Sequence, residues 1–168
     1  MRISIEGNIG CGKSVVIQGL RWSMDDACFH PEPVDDWESL LRLFYRYPRK
    51  HALDMQTRVL LDMAKIPQDD KLRITERSPL ASHHVFGLMA HNAGWLDDIQ
   101  WTTYKKMAAV LGWEPDAIVY IEVPPDECER RVRQRGTDQE TEPASLDYFK
   151  AVDRMYETLL RFTRIPVR

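Results

Sequence analysis

One glycine-rich octapeptide near the amino terminus limits what this chain can fold into more than any other feature. It matches the pattern G-x-x-x-x-G-K-[ST] in full and consists of Gly7, Asn8, Ile9, Gly10, Cys11, Gly12, Lys13 and Ser14. The alternating residues 2–6 before it predict a short strand, and the apolar spacing after it predicts a helix from Lys13 to about Met24. A strand, this loop and a helix in succession are the context in which the pattern binds nucleotide phosphates.

Each part of the octapeptide has a chemical role in that prediction. The glycines let backbone N–H groups converge on phosphate oxygens, and the helix N-terminus adds a partial positive charge. The Lys13 ammonium is expected on the β- and γ-phosphates, and the Ser14 hydroxyl is expected on Mg²⁺. The alternative is a glycine-rich turn that only joins a strand to a helix. The loop predicts a nucleotide, but it does not identify the group that accepts a phosphoryl group.

Strands and helices alternate along the rest of the chain. The other predicted strands are residues 27–31, 71–75 and 117–121, and the other predicted helices are residues 37–47, 52–64, 97–111, 126–135 and 146–162, with one more beginning near Pro79. This alternation predicts an α/β fold with a parallel sheet covered by helices on both faces. Residues 165–168 resemble the approach to a further strand, so a C-terminal strand is expected to be short or missing.

Length and composition narrow the class of protein. At 168 residues the chain is expected to form a single domain, residues 1–168. A net charge of −3 gives no bulk attraction to nucleic acid or to a membrane. Three cysteines without C-x-x-C spacing argue against a disulfide framework and a zinc site. No secretory signal or membrane-spanning apolar run is evident, which predicts a cytoplasmic protein.

Two acidic segments follow predicted strands at the carboxyl edge of the sheet. Glu32 follows the second strand, and Glu76 with Arg77 follows the third. Open parallel sheets bind their ligands at this edge. Glu32 could accept a proton from a hydroxyl, and Glu76 with Arg77 could bind Mg²⁺ and hold an oxygen. The alternatives are a solvated acidic loop at Glu32 and a helix N-cap at Ser78.

An arginine-rich segment precedes a polar stretch, residues 136–143. Arg131 and Arg135 share a helix face because they are four residues apart. Such a cluster can close over phosphates and neutralise charge that develops during transfer. The alternative is a basic helix face whose arginines pair with acidic residues of the same helix.

The chain resembles the deoxyribonucleoside kinase family in four segments that occur in the family's order. They are the loop, the E-P-V-x-x-W segment at Glu32, the E-R-S segment at Glu76 and the arginine-rich segment. The resemblance covers nearly the whole chain. It implies a P-loop kinase fold with an arginine-rich lid, and ATP-dependent phosphorylation of a deoxynucleoside 5′-hydroxyl with Mg²⁺. It also implies a homodimer, since relatives are commonly dimers, and the family includes thymidine kinases encoded by DNA viruses.

The resemblance implies roles for the reacting groups. Glu32 matches the general base that deprotonates the 5′-hydroxyl, and Arg77 matches the arginine that positions this hydroxyl. Glu76 matches the acidic residue associated with Mg²⁺. Arg131 and Arg135 match the lid arginines that contact the phosphates.

It also implies a pocket for the nucleoside. Trp37 matches an aromatic side chain that lines the base pocket, and Phe86 matches the phenylalanine that stacks on the base. Gln56 matches the glutamine that hydrogen-bonds the Watson–Crick edge of the base. Tyr45 and Glu140 match the residues that contact the sugar 3′-hydroxyl. Without the resemblance, core packing is the more common role for aromatic side chains such as Tyr45, Trp37 and Phe86.

Two positions bear on the choice of base. Family members that accept thymidine resemble this chain at Met63 and at the small residue Ser82. Members favouring deoxycytidine and purines tend to carry an arginine and an aspartate at these two places. The resemblance therefore favours thymidine, with deoxycytidine or deoxyuridine as further substrates.

Two other functions remain open. A nucleoside monophosphate kinase, such as a thymidylate kinase, would share the loop and the lid arginines. It needs extra cations near the acceptor rather than a free carboxylate at Glu32. A nucleotide-binding regulatory module would bind ATP without transferring phosphate, and it would leave the acidic and aromatic pocket without a purpose.

Overall fold

A four-stranded parallel sheet organises the protein. The computed structural model describes residues 1–135 and 145–168. The strands are β1 (Arg2–Gly7), β2 (Cys28–His30), β3 (Arg73–Glu76) and β4 (Ala117–Ile121), in the spatial order β2-β3-β1-β4. β1 is therefore an inner strand, with Ile3 opposite Ile74 on one side and Ala117 on the other. The predicted α/β fold with a parallel sheet flanked by helices is confirmed.

Helices connect the strands. They are α1 (Lys13–Arg21), α2 (Val34–Arg46), α3 (Pro48–Ala64), α4 (Pro79–Ala81), α5 (Leu88–Asn92), α6 (Asp98–Leu111), α7 (Pro125–Arg135) and α8 (Leu146–Phe162). The helix predicted to run from Lys13 to about Met24 already ends at Arg21, where the Trp22 N–H turns back to the Gly19 carbonyl. Trp22 is 85% exposed, so its apolar ring does not extend the buried face. Within the described part of the chain, none of the helices combines the length and apolarity needed to cross a membrane.

The segment that begins at Pro79 departs from a regular helix. A π-helical stretch, Ser82–Gly87, joins α4 to α5. A Cβ atom added at Gly87 would lie 2.8 Å from Tyr104 Cε1, so the bare backbone allows α6 to approach this stretch closely. π-Helical turns widen a helix and often occur at functional sites. Here the turn contains both Ser82 and Phe86, which line the cavity described below.

Side chains alternate between the two faces of the sheet. On one face, Ile5 and Ile74 pack against Ile17 of α1. On the other face, Tyr120 packs against Tyr156 of α8. Helices thus cover both faces, as parallel sheets require.

The chain returns to the sheet at its C-terminal end. Val167 pairs in parallel with Ile118 of β4, and the Ile118 N–H donates to the Pro166 carbonyl at 2.9 Å. Arg168 continues the pairing, because the Tyr120 N–H donates to its carbonyl at 2.9 Å. The predicted approach to a further strand is therefore a single parallel bridge on the outer side of β4.

Candidate active site

One cavity opens at the carboxyl edge of the sheet. It lies among the octapeptide after β1 (the phosphate loop, residues 7–14), α2, α3, the π-helical stretch and α8. The predicted site residues that line it are Ile9, Gly10, Gly12, Lys13, Ser14, Glu32, Trp37, Tyr45, Gln56, Met63, Glu76, Arg77, Ser82, Phe86 and Arg135. Residues that are far apart in sequence meet here because the parallel strands all end at this edge, where the loops that follow them begin.

The phosphate loop is packed tightly against neighbouring backbone. A Cβ atom at Gly7 would lie 2.7 Å from the Ile121 carbonyl oxygen, and one at Gly10 would lie 2.8 Å from the Cys128 carbonyl oxygen. Both glycines also have positive φ angles, 146° and 77°. The Asn8 side chain is directed away from the cavity and donates to the Phe149 carbonyl oxygen at 2.9 Å. The Asn8 side chain thus anchors the loop to α8. Only the backbone of Asn8 is left to make the predicted contact with a phosphate.

Lys13 lies folded over the same loop. Its ammonium donates to the carbonyl oxygens of Asn8 at 2.8 Å and Gly7 at 3.2 Å. Burial, together with the nearby Arg77 charge, lowers the pKa of Lys13 below its usual range, although Glu32 and Glu76 oppose this shift. The ammonium is thus held at the loop where a phosphate chain would compete for it.

Glu32 and Arg77 form a buried ion pair in the cavity. Arg77 Nη1 donates to Glu32 Oε2, and each side chain is 9% exposed. Burial would lower the pKa of Arg77, but the Glu32 carboxylate and the Tyr156 hydroxyl hold it well above its usual value. Among the described non-glycine residues, Arg77 alone has a positive φ, 60°. The alternative interpretation, in which Glu32 lies in a solvated acidic loop, does not hold, because its carboxylate is buried against this arginine.

Ser14 and Glu76 meet beside this pair. The Ser14 hydroxyl donates to Glu76 Oε1 at 2.8 Å, and the Glu32 N–H approaches Glu76 Oε2 at 3.4 Å. A hydroxyl and a carboxylate offer the oxygen ligands that Mg²⁺ prefers. The pair therefore fits the predicted metal site. Ser78 also caps α4, with its Oγ accepting from the Ala81 N–H, so the helix-cap interpretation of this residue is confirmed.

Gln56 lies in the aromatic part of the cavity. Its side chain projects from α3 and is only 5% exposed, and among the described residues nothing hydrogen-bonds its buried Oε1. A buried amide oxygen without a partner costs about 1–3 kcal/mol, which a bound ligand can offset. Phe86 and Trp37 supply rings to the same cavity. Trp37 also serves the core, because it is 4% exposed and its Nε1 donates to Asp62 at 2.8 Å.

Met63 and Ser82 contribute uncharged surface to the cavity. Met63 is 5% exposed, and its carbonyl oxygen accepts from Trp113 Nε1 at 3.0 Å. The Ser82 hydroxyl is hydrogen-bonded to the Tyr104 hydroxyl at 3.2 Å. Both residues are therefore held in place by partners behind the cavity.

The arginines of α7 make two kinds of contact. Arg130 and Arg133 pair with Glu127 and Glu129 on the surface of α7, as the helix-face alternative predicted. Arg131 pairs with Glu127 as well, but its Nη1 donates to the Cys11 carbonyl oxygen of the phosphate loop at 3.2 Å. Hydrogen bonds from Arg130 and Arg131 lower the pKa of Glu127 to about 2.

Arg131 thus contacts the phosphate loop and Arg135 lines the cavity, and their contact with phosphates stays a prediction. Glu140, which was assigned to the 3′-hydroxyl, lies outside the described residues.

Tyr148, Glu6 and Tyr156 are among the residues near the site that were not predicted. Tyr148 of α8 lines the cavity, and its burial raises its pKa to about 12. Glu6 and Tyr156 are buried directly behind Arg77. The two tyrosines lie on the apolar side of an amphipathic helix, where the sequence indicates only core. Glu6 could have been suspected, because it ends a strand at the carboxyl edge of the sheet.

Several known proteins are similar to most of this chain. A family model described as deoxynucleoside kinase matches residues 3–167. The chain is 32% identical to the thymidine kinase of Ictalurid herpesvirus 1, over 93% of this chain and 72% of that protein. It is 29% identical to a probable deoxycytidine kinase of fowlpox virus, over 95% and 71% of the two chains. It is 27% identical to deoxycytidine kinase 2 of Gallus gallus, over 95% and 73%.

Proposed function

Because the chain belongs to the deoxynucleoside kinase family, we propose that it transfers the γ-phosphoryl group of ATP to the 5′-hydroxyl of a pyrimidine deoxynucleoside, with thymidine preferred. One observation carries the proposal. The phosphate loop and the Glu32–Arg77 pair line the same cavity as Gln56, whose amide oxygen has no hydrogen-bond partner among the described residues. The cavity therefore offers groups that can bind a triphosphate and groups that can bind a sugar carrying a base.

The acceptor chemistry follows from the positions of three side chains. Glu32 accepts the proton of the 5′-hydroxyl while the 5′-oxygen forms its bond to the γ-phosphorus. The bond from that phosphorus to the bridging oxygen breaks, and ADP leaves. Arg77 holds the Glu32 carboxylate in place, and Lys13 exchanges its carbonyl partners for phosphate oxygens. Catalysis of this kind depends mainly on positioning and charge neutralisation.

Ser14 and Glu76 would hold Mg²⁺ beside the phosphate loop. When bound, the ion neutralises charge on the β- and γ-phosphates. The contact between Ser14 and Glu76 supports this assignment. A cation bound between their oxygens could replace the Ser14 hydroxyl proton as the partner of the Glu76 carboxylate.

Preference for thymidine rests on the cavity wall rather than on Gln56. A glutamine amide can pair with thymine or, after a flip, with cytosine, so it does not select between them. Met63 and Ser82 are uncharged, and Ser82 is already bonded to Tyr104. This wall offers no charged group to bind the amino group of cytosine, and it has an apolar side chain to receive a methyl group.

The experiment is a phosphate-transfer panel with labelled ATP, the four natural deoxynucleosides and thymidine monophosphate. We expect thymidine to be converted to its 5′-monophosphate with a kcat/KM at least about tenfold above that of either purine deoxynucleoside, since one favourable pocket contact is worth that factor. Transfer only to thymidine monophosphate would show a monophosphate kinase. Binding of ATP without transfer to any acceptor would show a regulatory module.

We also propose that the protein is a homodimer, as the resemblance to the family implies. Ile99 and Val110 of α6 are 79% and 82% exposed, and they share one face of the helix because eleven residues make about three turns. Light scattering that gives twice the mass of the chain would support a dimer, and the mass of one chain would contradict it.

A further inference from the structure

A line of buried polar side chains lies behind the Glu32–Arg77 pair. The Tyr156 hydroxyl donates to Glu6 Oε2 at 3.0 Å and accepts from Arg77 Nε at 3.4 Å. Arg77 Nη1 then donates to Glu32. The line therefore runs from β1 through α8 to the proposed catalytic carboxylate.

The hydrogen bonds along this line have the following directions when Glu6 is ionised. Glu6 is 1% exposed, and its Oε1 accepts from the Ser78 hydroxyl at 2.6 Å and from the Ser4 hydroxyl at 3.0 Å. Its Oε2 remains for the Tyr156 hydroxyl, which is itself fully buried. Because the Tyr156 proton is directed to Glu6, the lone pairs of this hydroxyl face the Arg77 Nε–H. A guanidinium is a rigid planar fork, so a partner at Nε also determines where Nη1 points.

Tyr156 also contacts the proposed base-stacking ring. Its ring meets Phe86 edge to face, with centroids 6.4 Å apart and planes at 84°. The Arg77 guanidinium carbon lies 4.8 Å from the centroid of the Phe86 ring. One side chain of α8 therefore touches both Arg77 and Phe86.

We infer that Tyr156 is a positioning residue, which aims the Arg77 guanidinium at Glu32, and that Glu6 orients the Tyr156 hydroxyl for this task. The inference rests on the proposed function, because it assigns Glu32 and Arg77 to the transfer step. Arg77 has a backbone conformation that only a well-determined surrounding maintains, and Tyr156 supplies part of that surrounding.

The test is a double-mutant cycle on the full chain. Tyr156→Phe removes only the hydroxyl, whereas Arg77→Lys keeps a positive charge between Glu6 and Glu32 but removes the planar fork. Labelled ATP makes low rates measurable, and the acceptor is whichever natural deoxynucleoside gives the highest kcat/KM. We expect Tyr156→Phe to lower kcat about tenfold and to leave KM within about twofold, as for the loss of one hydrogen bond to a charged group.

The second arm separates positioning from a structural role. In the Arg77→Lys background, Tyr156→Phe is expected to change kcat by less than about twofold, because the two substitutions act through one contact. An unchanged kcat in the single variant, or an equal fall in both backgrounds, would overturn the inference. Tyr120→Phe is the matched control, since its ring lies 5.5 Å from that of Tyr156, and it should leave kcat within about twofold.

Glu6→Gln provides a second variant if Tyr156→Phe does not fold. Ser4 and Ser78 both donate to one oxygen of Glu6, so the amide oxygen of glutamine takes that place and its NH₂ group faces Tyr156. The tyrosine hydroxyl then loses its acceptor and its fixed direction. We expect kcat to fall several-fold, and this fall should also vanish in the Arg77→Lys background; a fall that persists there would contradict the inference.

Failure of the proposed function would give a different result. A wild-type protein that phosphorylates no deoxynucleoside overturns the proposed function and this inference with it. An active wild type whose Tyr156→Phe variant fails the cycle overturns only the inference.

Discussion

Glu32 and Arg77 show how closely chemistry and burial are linked in this site. Each charge is almost removed from water and is compensated mainly by the other. Removing one member of such a pair leaves a buried charge without its partner. The chemistry proposed for Glu32 therefore has to be tested by a substitution that preserves shape.

Glu32→Gln should lower kcat by about 10²–10⁴-fold, because the amide cannot accept the proton of the 5′-hydroxyl. The dissociation constant for the nucleoside should stay within a few-fold, and it can be measured from the fluorescence of Trp37 and Trp95, which line the cavity. Glu38→Gln on the exposed side of α2 should leave kcat unchanged. A normal kcat for Glu32→Gln would remove this residue from the mechanism.

Gln56→Met should separate ligand binding from stability. The substitution removes the buried amide oxygen that has no partner among the described residues, so the melting temperature of the free protein should be unchanged or higher. The rise in melting temperature on adding thymidine should shrink, because the affinity falls by about 1–2 kcal/mol with the loss of the amide hydrogen bonds. An unchanged ligand-induced rise would show that Gln56 does not contact the base.

At the scale of elements, the sequence predicts the type and order of the helices and strands better than their exact bounds and geometry. The strands and most helices follow from hydrophobic spacing, and Pro48 separates α2 from α3 as expected. The π-helical stretch could not be predicted, because hydrophobic spacing does not reveal a tertiary contact such as that between Tyr104 and Gly87. For the same reason Tyr156 resembles a core residue in sequence, although its hydroxyl contacts Arg77.

Gly87→Ala tests whether this close approach stabilises the fold. The new Cβ atom would lie 2.8 Å from Tyr104 Cε1 and 3.2 Å from Trp101 Cζ3, so the variant should lose about 1–3 kcal/mol of unfolding free energy in urea. Gly19→Ala in α1 is the matched control. Among the described residues, nothing outside the adjoining backbone of α1 lies within 4 Å of its added Cβ, and the variant should gain about 0.4–1 kcal/mol. Equal effects at the two glycines would contradict the argument.

At the scale of the whole molecule, Asp62 links stability to pH. Burial alone would raise the pKa of its carboxyl group, but hydrogen bonds from Lys65, Trp37 and Arg58 bring the pKa well below its ordinary value of 3.8. A carboxyl group whose pKa is lowered on folding stabilises the folded state above its unfolded pKa. This contribution is lost as the pH falls through the lower, folded value.

Asp62→Asn should therefore be less stable than the wild type by about 1–2 kcal/mol at pH 7, and the difference should shrink below about pH 4. Urea unfolding at pH 7, 5, 4 and 3 measures it. Asp54→Asn is the control on the same helix, because its side chain is 60% exposed. A difference for Asp62→Asn that stays constant down to pH 3 would contradict the pKa argument.

The place of β1 between two partner strands has a consequence for how the molecule opens. Its backbone is hydrogen-bonded along both edges, whereas β2 is a three-residue strand at the rim of the sheet. Deuterium should therefore replace the amide hydrogens of β2 and α2 well before those of β1. Thermal fluctuations would therefore first open the wall proposed to hold the sugar and base. The phosphate loop follows the most protected strand and would persist until global unfolding.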